Sequence, residues 1–308
     1  MKKVTAFAPA TVANVSCGFD ILGFAVEGIG DKVSVSFSDV PGLKVSRIEG
    51  DQGRLPYDTN KNTCTVAIQA MLAHQDFQGG LEVELVKGLP LGSGMGSSAA
   101  SAVAALVAAN ELLGNPYDKD GLLPFAMEAE AIACGAAHAD NVAPALLGGF
   151  VLVRGYDPLD VISLNVPSGL YCTILHPHLE LNTADSRSVL KNNVSLKDAI
   201  IQSGNIAGLV AGLFMEDMAL ISRSLNDVLA EPSRAVLIPG FDEVKTGVKG
   251  VGALGCGISG SGPAIFVLSS SEAIAREAGR VGKKVYDQMG LPVDLFVSSI
   301  NSRGAFVI

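Results

Sequence analysis

The chain has 308 residues, is 48% hydrophobic and carries 22 basic against 31 acidic side chains, for a net charge of −9. That length suits two domains with a substantial core. No basic run exceeds two residues, which argues against a nucleic-acid partner. The longest apolar run, Ala102 to Ala109, even with its small neighbours, falls well short of the ~20 residues that span a bilayer.

Five cysteines, Cys17, Cys64, Cys134, Cys172 and Cys256, are odd in number and form no CxxC pair. That usage suits a reducing, cytoplasmic setting and argues against a disulfide framework or a zinc site. The opening MKKVTAFAPATVA imitates an export leader. Thr5, Pro9 and Thr11 interrupt its middle, so it reads instead as a first β-strand.

Further along, DKVSVSFSD sets Val33, Val35 and Phe37 against three serines, the period of a half-buried strand. LEVELVKG repeats the pattern with Leu81, Val83 and Leu85. Residues 61–74, 97–113 and 120–134 read as helices, and GGFVLVRG closes this half as a strand. Polar, proline-containing residues 155–168 mark a boundary, dividing the chain into 1–158 and 159–308. The second half begins with the strand LYCTILHP. Helices follow near 183–190, 196–213, 216–229 and 241–249, then paired strands in ALGCGISGSGPAIFVLS, a helix at 271–288 and a strand pair within 293–308. Strands and helices mixed without strict βαβ repetition predict an α+β protein of two domains.

The segment LPLGSGMGSSAAS, residues 89–101, joins a predicted strand to a predicted helix. Glycines let the main chain approach a ligand and adopt positive φ. The unpaired N–H groups and positive dipole end of the following helix attract an anion. Ser97 and Ser98 can cap that helix and offer hydroxyls to phosphate or metal. The segment therefore reads as a phosphate cradle. It is not a Walker loop, because Ser97 stands where the lysine belongs. Nor is it a dinucleotide fingerprint, since Gly92 and Gly94 are followed too soon by Gly96. Without a lysine in the loop, charge neutralisation falls to Mg²⁺ and the helix dipole.

At this point the residues resemble a family. PLGSGMGSSAAS is similar to the ATP-binding motif of the GHMP small-molecule kinases, GCGISGSGPAIF at 255–266 to their third motif, and PATVANVSCGFDILGFA at 9–25 to their first. The resemblance implies ATP as co-substrate, held by Pro90, Leu91, Gly92, Ser93, Gly94, Met95, Gly96, Ser97, Ser98, Ala99 and Ala100, with Gly260, Ser261 and Gly262 folding near the phosphates. It implies Mg²⁺ on Ser98 and Glu130, with Glu128 a rival facing another way on the helix. Asn62 and Thr63 could flank the base, or simply begin a helix. Lys87 could approach the phosphates, or be a solvated lysine at a strand end. The resemblance also implies a homodimer, an N-terminal domain like domain 2 of ribosomal protein S5 and a ferredoxin-like C-terminal domain.

Within the family, HADNVAPALLGGF at 138–150, ANVSCGFDILG and TADSR at 183–187 resemble the homoserine-phosphorylating branch, which implies L-homoserine as acceptor. Its carboxylate calls for an arginine fork, Arg187 first and Arg234 second. Its ammonium calls for an acceptor, Asp20, whose alternative is a helix cap. Asn14 and Asn141 could hold the hydroxyl, with Thr183 and His138 as further contacts. Asp140 stands where related kinases carry an aspartate. Its neighbours have changed, which predicts that Asp140 turns away and that transfer runs by positioning without a dedicated base. The alternatives are a mevalonate- or sugar-type kinase of the family, or a non-catalytic nucleotide-binding regulator. The pair His176 and His178 shares a strand face, but no further ligand lies nearby in sequence, which favours a structural role.

Overall fold

The structure, a computed structural model, describes residues 2–135 and 138–308. Its first unit grows from a long antiparallel pair, β1 (Lys3–Val15) and β2 (Gly18–Ser38). On β1 the alternate residues Val4, Ala6, Ala8, Ala10 and Val12 are all buried, giving one apolar face. β3 (Gly42–Glu49) runs parallel to β4 (Gly80–Val86), which pairs with β2. β5 (Phe150–Tyr156) and β6 (Leu159–Leu164) form a hairpin joined to β2, and β11 (Phe306–Val307) closes onto β1.

Helices α1 (Thr63–Leu72), α2 (Ser97–Leu112), α3 (Lys119–Cys134) and α4 (Ala139–Leu147) pack with this seven-stranded sheet. The alanine-rich α2 is buried on nearly every side, as expected of a helix at the centre of a core. Small side chains let it lie close to the strands, which fixes where its N-terminus emerges.

The second unit is a four-stranded antiparallel sheet of β7 (Tyr171–Pro177), β8 (Gly255–Ile258), β9 (Ile265–Ser269) and β10 (Val293–Ser299). Its order is β10-β7-β9-β8, that is 4-1-3-2 by chain position, the ferredoxin-like arrangement. Ile265 and Val267 of β9 point into a small core with α9 (Phe241–Gly250) and α10 (Glu272–Met289). Phe266 and Leu268 point the other way, into the large core. Between β7 and α9 lie α5 (Thr183–Ser188), α6 (Leu196–Met215), α7 (Met218–Ser224) and α8 (Glu231–Arg234).

Four expectations need correction. The division at 158/159 cuts the turn of the β5–β6 hairpin; Pro158 belongs to that turn, and β6 stays with the first sheet. The strands within 293–308 do not pair with each other, because β10 adds to β7 and β11 returns to β1. The helix expected over 216–229 stops at Ser224, because the Asp227 carboxylate accepts the amides of Leu229, Ala230 and Glu231 and starts α8 instead. Finally, the stretch at 102–109 reads as the longest apolar run, but among the described residues it is α6 that is long and apolar enough to cross a membrane by length and composition. Its Gln202 is buried and bonded to Cys17 O and Asp227, which ties α6 to the rest of the chain.

Candidate active site

Three segments far apart in sequence are sewn together at one cleft. Thr11 donates its N–H to Met95 O, Gly260 to Ala13 O and Ala264 to Ser93 O. The Ser259 hydroxyl donates to Gly94 O at 2.7 Å, and the Asn14 amide donates to Gly260 O at 2.7 Å. Gly94 has φ +77°, and a Cβ there would lie 2.4 Å from Ser259 O. At Gly96, φ +67°, it would lie 2.0 Å from the Thr11 hydroxyl. Only glycine permits both the backbone and the approach. The cleft they frame has a volume of about 450 Å³.

Gly96, not Ser97 or Ser98, is the N-cap of α2. The first-turn amides that follow therefore have no partner inside the helix and face the loop. The two serines are occupied otherwise: Ser97 Oγ donates to Leu89 O at 3.4 Å, and Ser98 Oγ donates to Glu130 Oε2 at 2.9 Å. Glu130 is 5% exposed and lines the cleft, whereas Glu128 faces outward. Hard oxygen donors, one of them anionic, thus meet beside the helix tip, a donor set that fits Mg²⁺.

Lys87 departs from both of its sequence readings. It is neither solvated nor free for phosphate, but forms a buried pair with Asp31. Its Nζ also donates to Ser97 O at 2.8 Å and to the Ser101 hydroxyl. The Asp31 carboxylate further accepts from Gly88 N, Leu89 N and Ser101 Oγ. The two charges therefore pin the cradle to α2 from behind.

At the other end of the cleft Arg187 grips Asp20, its Nη1 donating to Oδ2 at 3.1 Å and its Nη2 to Oδ1 at 2.8 Å. Arg187 Nη2 lies 2.8 Å from His138 Nε2. Guanidinium only donates, so Nε2 accepts and the proton sits on Nδ1, 3.9 Å from Asp20 Oδ1. Burial holds the His138 imidazole below its usual pKa, so it stays neutral.

Asp20 is not a helix cap; it sits in a strand with φ +60°. Asn14 and Ser16 also have positive φ. Three such non-glycine residues within the seven from 14 to 20 mark strain stored at a site.

Arg234 is 4% exposed and stacks 4.7 Å over the Phe19 ring. It donates to Ser186 O and Gly260 O, and no salt bridge to it occurs among the described residues. A buried cation satisfied only by carbonyls is costly until an anion arrives. Burial and the neighbouring Arg187 lower its pKa accordingly.

Asp140, expected to turn away, lines the cleft and is 2% exposed. Burial, then Asp20 and Glu130, push its carboxyl up to about 7. Asn141 Oδ1 accepts from the Thr11 hydroxyl at 2.7 Å, which aims the amide nitrogen. Asn14 is committed at both ends, since its Oδ1 accepts from Asp20 N at 2.8 Å while its Nδ2 binds Gly260 O.

Of the remaining expected residues, Leu91, Gly92, Ser93, Thr183, Gly260 and Ser261 line the cleft with those above. Pro90 and Gly262 flank them in the two loops but are not among the lining residues. Met95, Ala99 and Ala100 are fully buried beneath the loop, so only their backbone could serve a ligand. Asn62 is a correction, because it caps α1 and donates to Pro56 O instead of facing the cleft, where Thr63 does appear.

Sequence reasoning missed Asp31, which looked like the first residue of a strand. It also missed Tyr156, whose hydroxyl donates to Asp20 O and accepts from Ala139 N. An exposed tyrosine ending a strand was the only signal.

Comparison with known proteins agrees with this geometry. The family model described as "GHMP kinases N terminal domain" matches residues 62–149, and "GHMP kinases C terminal" matches 206–288. A homoserine kinase of Chlorobium phaeovibrioides is 52% identical, covering 100% of both chains. One of Xanthomonas campestris pv. campestris is 39% identical over 99% of this chain and 94% of its own. The crystal structure of homoserine kinase from Cytophaga hutchinsonii superposes with a TM-score of 0.98 at 55% identity, covering 100% and 98%. A mevalonate kinase from L. major, in complex with R-mevalonate, shares the fold at a TM-score of 0.71 and 15% identity, covering 97% and 96%.

Proposed function

The chain belongs to the GHMP kinase family, and from that premise we propose that it is a homoserine kinase. It transfers the γ-phosphate of ATP to the hydroxyl of L-homoserine, giving O-phospho-L-homoserine for threonine synthesis. The observation that carries the small-molecule kinase reading is the convergence of a lysine-free glycine cradle with Asp20, Arg187 and Arg234 across one cleft.

Phosphoryl transfer needs alignment and charge stabilisation more than covalent chemistry. The glycine loop and the α2 amides cradle the triphosphate. Ser98 and Glu130 would hold Mg²⁺, which supplies charge neutralisation on the phosphates when bound. Arg234, over Phe19, takes the amino acid carboxylate. Asp20 takes the ammonium; Arg187 keeps it from standing uncompensated before substrate binds and adds a second donor for the carboxylate. The Asn141 amide orients the acceptor hydroxyl, while Asn14 acts one step back by fixing Gly260 and Asp20. Asp140 beside them is a group able to receive the proton late, but alignment carries the rate.

A substrate without an ammonium would not leave Asp20 unpaired, because Arg187 already pairs it. Choice between homoserine and mevalonate therefore rests on the relatives and on an acceptor screen. ADP release is measured with ATP and Mg²⁺ against homoserine, mevalonate and galactose. A preference for either of the latter over homoserine overturns the reading.

A homodimer is supported by the exposed apolar residues of α6, among them Ile200, Phe214 and Met215. A second copy covers such a face without breaking the Gln202 bonds that membrane insertion would sever. A cytoplasmic setting suits the thiols of Cys17, Cys64 and Cys256, which burial pushes up to about 12 and keeps inert.

A further inference from the structure

Away from the cleft, two adjacent strands bring three metal-binding side chains to one face. His176 on β7 and Asp294 on β10 are direct cross-strand partners. The ladder continues past β7, where His178 donates its N–H to Pro292 O at 2.8 Å. The two-residue period then sets His178 on the same face as His176, diagonal to Asp294. Asp294 Oδ2 lies 3.3 Å from His176 Nδ1 and 3.0 Å from His178 Nε2. All three ligand atoms fall within 4.8 Å of one another. A tetrahedral ion with bonds of about 2.0–2.1 Å sets its ligand atoms about 3.3 Å apart, so little movement is needed.

We propose that His176, His178 and Asp294 form a site for a zinc-class divalent ion, distinct from the nucleotide's Mg²⁺. Two imidazoles and one carboxylate select Zn²⁺, Co²⁺ or Ni²⁺ over Mg²⁺, which prefers all-oxygen coordination. Three protein ligands leave a fourth position for water. The His176 side chain is 8% exposed, while those of His178 and Asp294 are 50% and 43% exposed, so the ion has a buried anchor and an open entry. Pro177 between the two histidines and Pro292 just before β10 fix the backbone φ at both strand ends. Two residues past His178, Glu180 pairs with Arg54, and Leu181, Asn182 and Thr183 then line the cleft. The ion would therefore fasten β7 to β10 at the root of the segment that delivers Thr183 and Arg187.

Chelator-treated full-length protein is titrated calorimetrically with Zn²⁺ in excess Mg²⁺, and with Co²⁺ while the visible spectrum is followed. The expected result is one saturable equivalent of Zn²⁺ per chain and the intense bands of four-coordinate Co²⁺. His178→Ala and Asp294→Asn should each weaken Zn²⁺ at least about tenfold, in line with changes around metal ligands, and abolish the bands. His178 is half exposed, so its variant should fold, which circular dichroism checks. Absence of a saturable equivalent in the wild type, or uptake unchanged in His178→Ala, overturns the proposal.

Discussion

Asp140 sits in the cleft with burial, Asp20 and Glu130 all opposing its charge, so its carboxyl ionises at about 7 instead of the ordinary 3.8. Between those two values the folded protein keeps a proton that the unfolded chain has lost, and stability falls as pH rises. The destabilisation is complete above about pH 7. At ~1.4 kcal/mol per unit, it amounts to about 4 kcal/mol. Asp140→Asn removes the titration. Its stability gain over the wild type should be near zero at about pH 4, grow through pH 5–7 and level off at about 4 kcal/mol by about pH 8. Urea unfolding followed by circular dichroism across that range measures the gap. A gap that does not change with pH would refute the burial argument. Activity supplies a second test. If alignment carries the rate, Asp140→Asn keeps kcat within about a hundredfold, whereas a loss near the 10⁴-fold limit of general-base catalysis would make Asp140 the base.

Arg234→Met should raise KM for homoserine by about 30-fold or more, the ~2 kcal/mol lower end for loss of a buried charged contact, and leave KM for ATP unchanged in steady-state assays. Glu130→Gln should lower kcat and raise the Mg²⁺ concentration needed for half-maximal rate, whereas an unchanged Mg²⁺ requirement removes Glu130 from the metal. Asp31→Ala leaves Lys87 as an uncompensated buried charge and should cost about 3–5 kcal/mol in denaturant unfolding, with ATP affinity falling as the cradle loosens.

Periodicity carried most of the fold, and where it failed a local competitor won. β3 breaks its alternation at a bulge between Val45 and Arg47, and in β6 LDVISL keeps no residue fully buried. α4 was hidden inside a segment read as a motif, with Pro144 in its middle suggesting a break. At 225–230 the Asp227 side chain took amides that a helix would have used, an effect that pattern reading does not register. Pairing was the least legible feature. Nothing local in the sequence distinguishes β11 returning to β1 from β11 pairing with β10.

The site was legible where residue type alone dictates the chemistry and illegible where charges answer one another across the fold. Glycines at 92, 94 and 96 announced a close approach. That Gly94 meets Ser259 and Gly96 meets Thr11 explains why three motifs must occur together: each loop is held by the backbone of another. Asp20 and Arg187 both read from the sequence as candidate substrate ligands, yet 167 positions separate them and only the structure shows them bound to each other. Distance along the chain likewise hid Asp294 from His176, 118 positions away, and Asp31 from Lys87, 56 positions away. The Asp31–Lys87 pair answers how a cradle can work with no cation inside it. The lysine stands in the cleft wall, its charge matched by Asp31 and its ammonium spent on Ser97 O and Ser101, where it fixes the first turn of α2. In the proposed kinase, rigid amides and not a mobile ammonium would then set the geometry of phosphate binding.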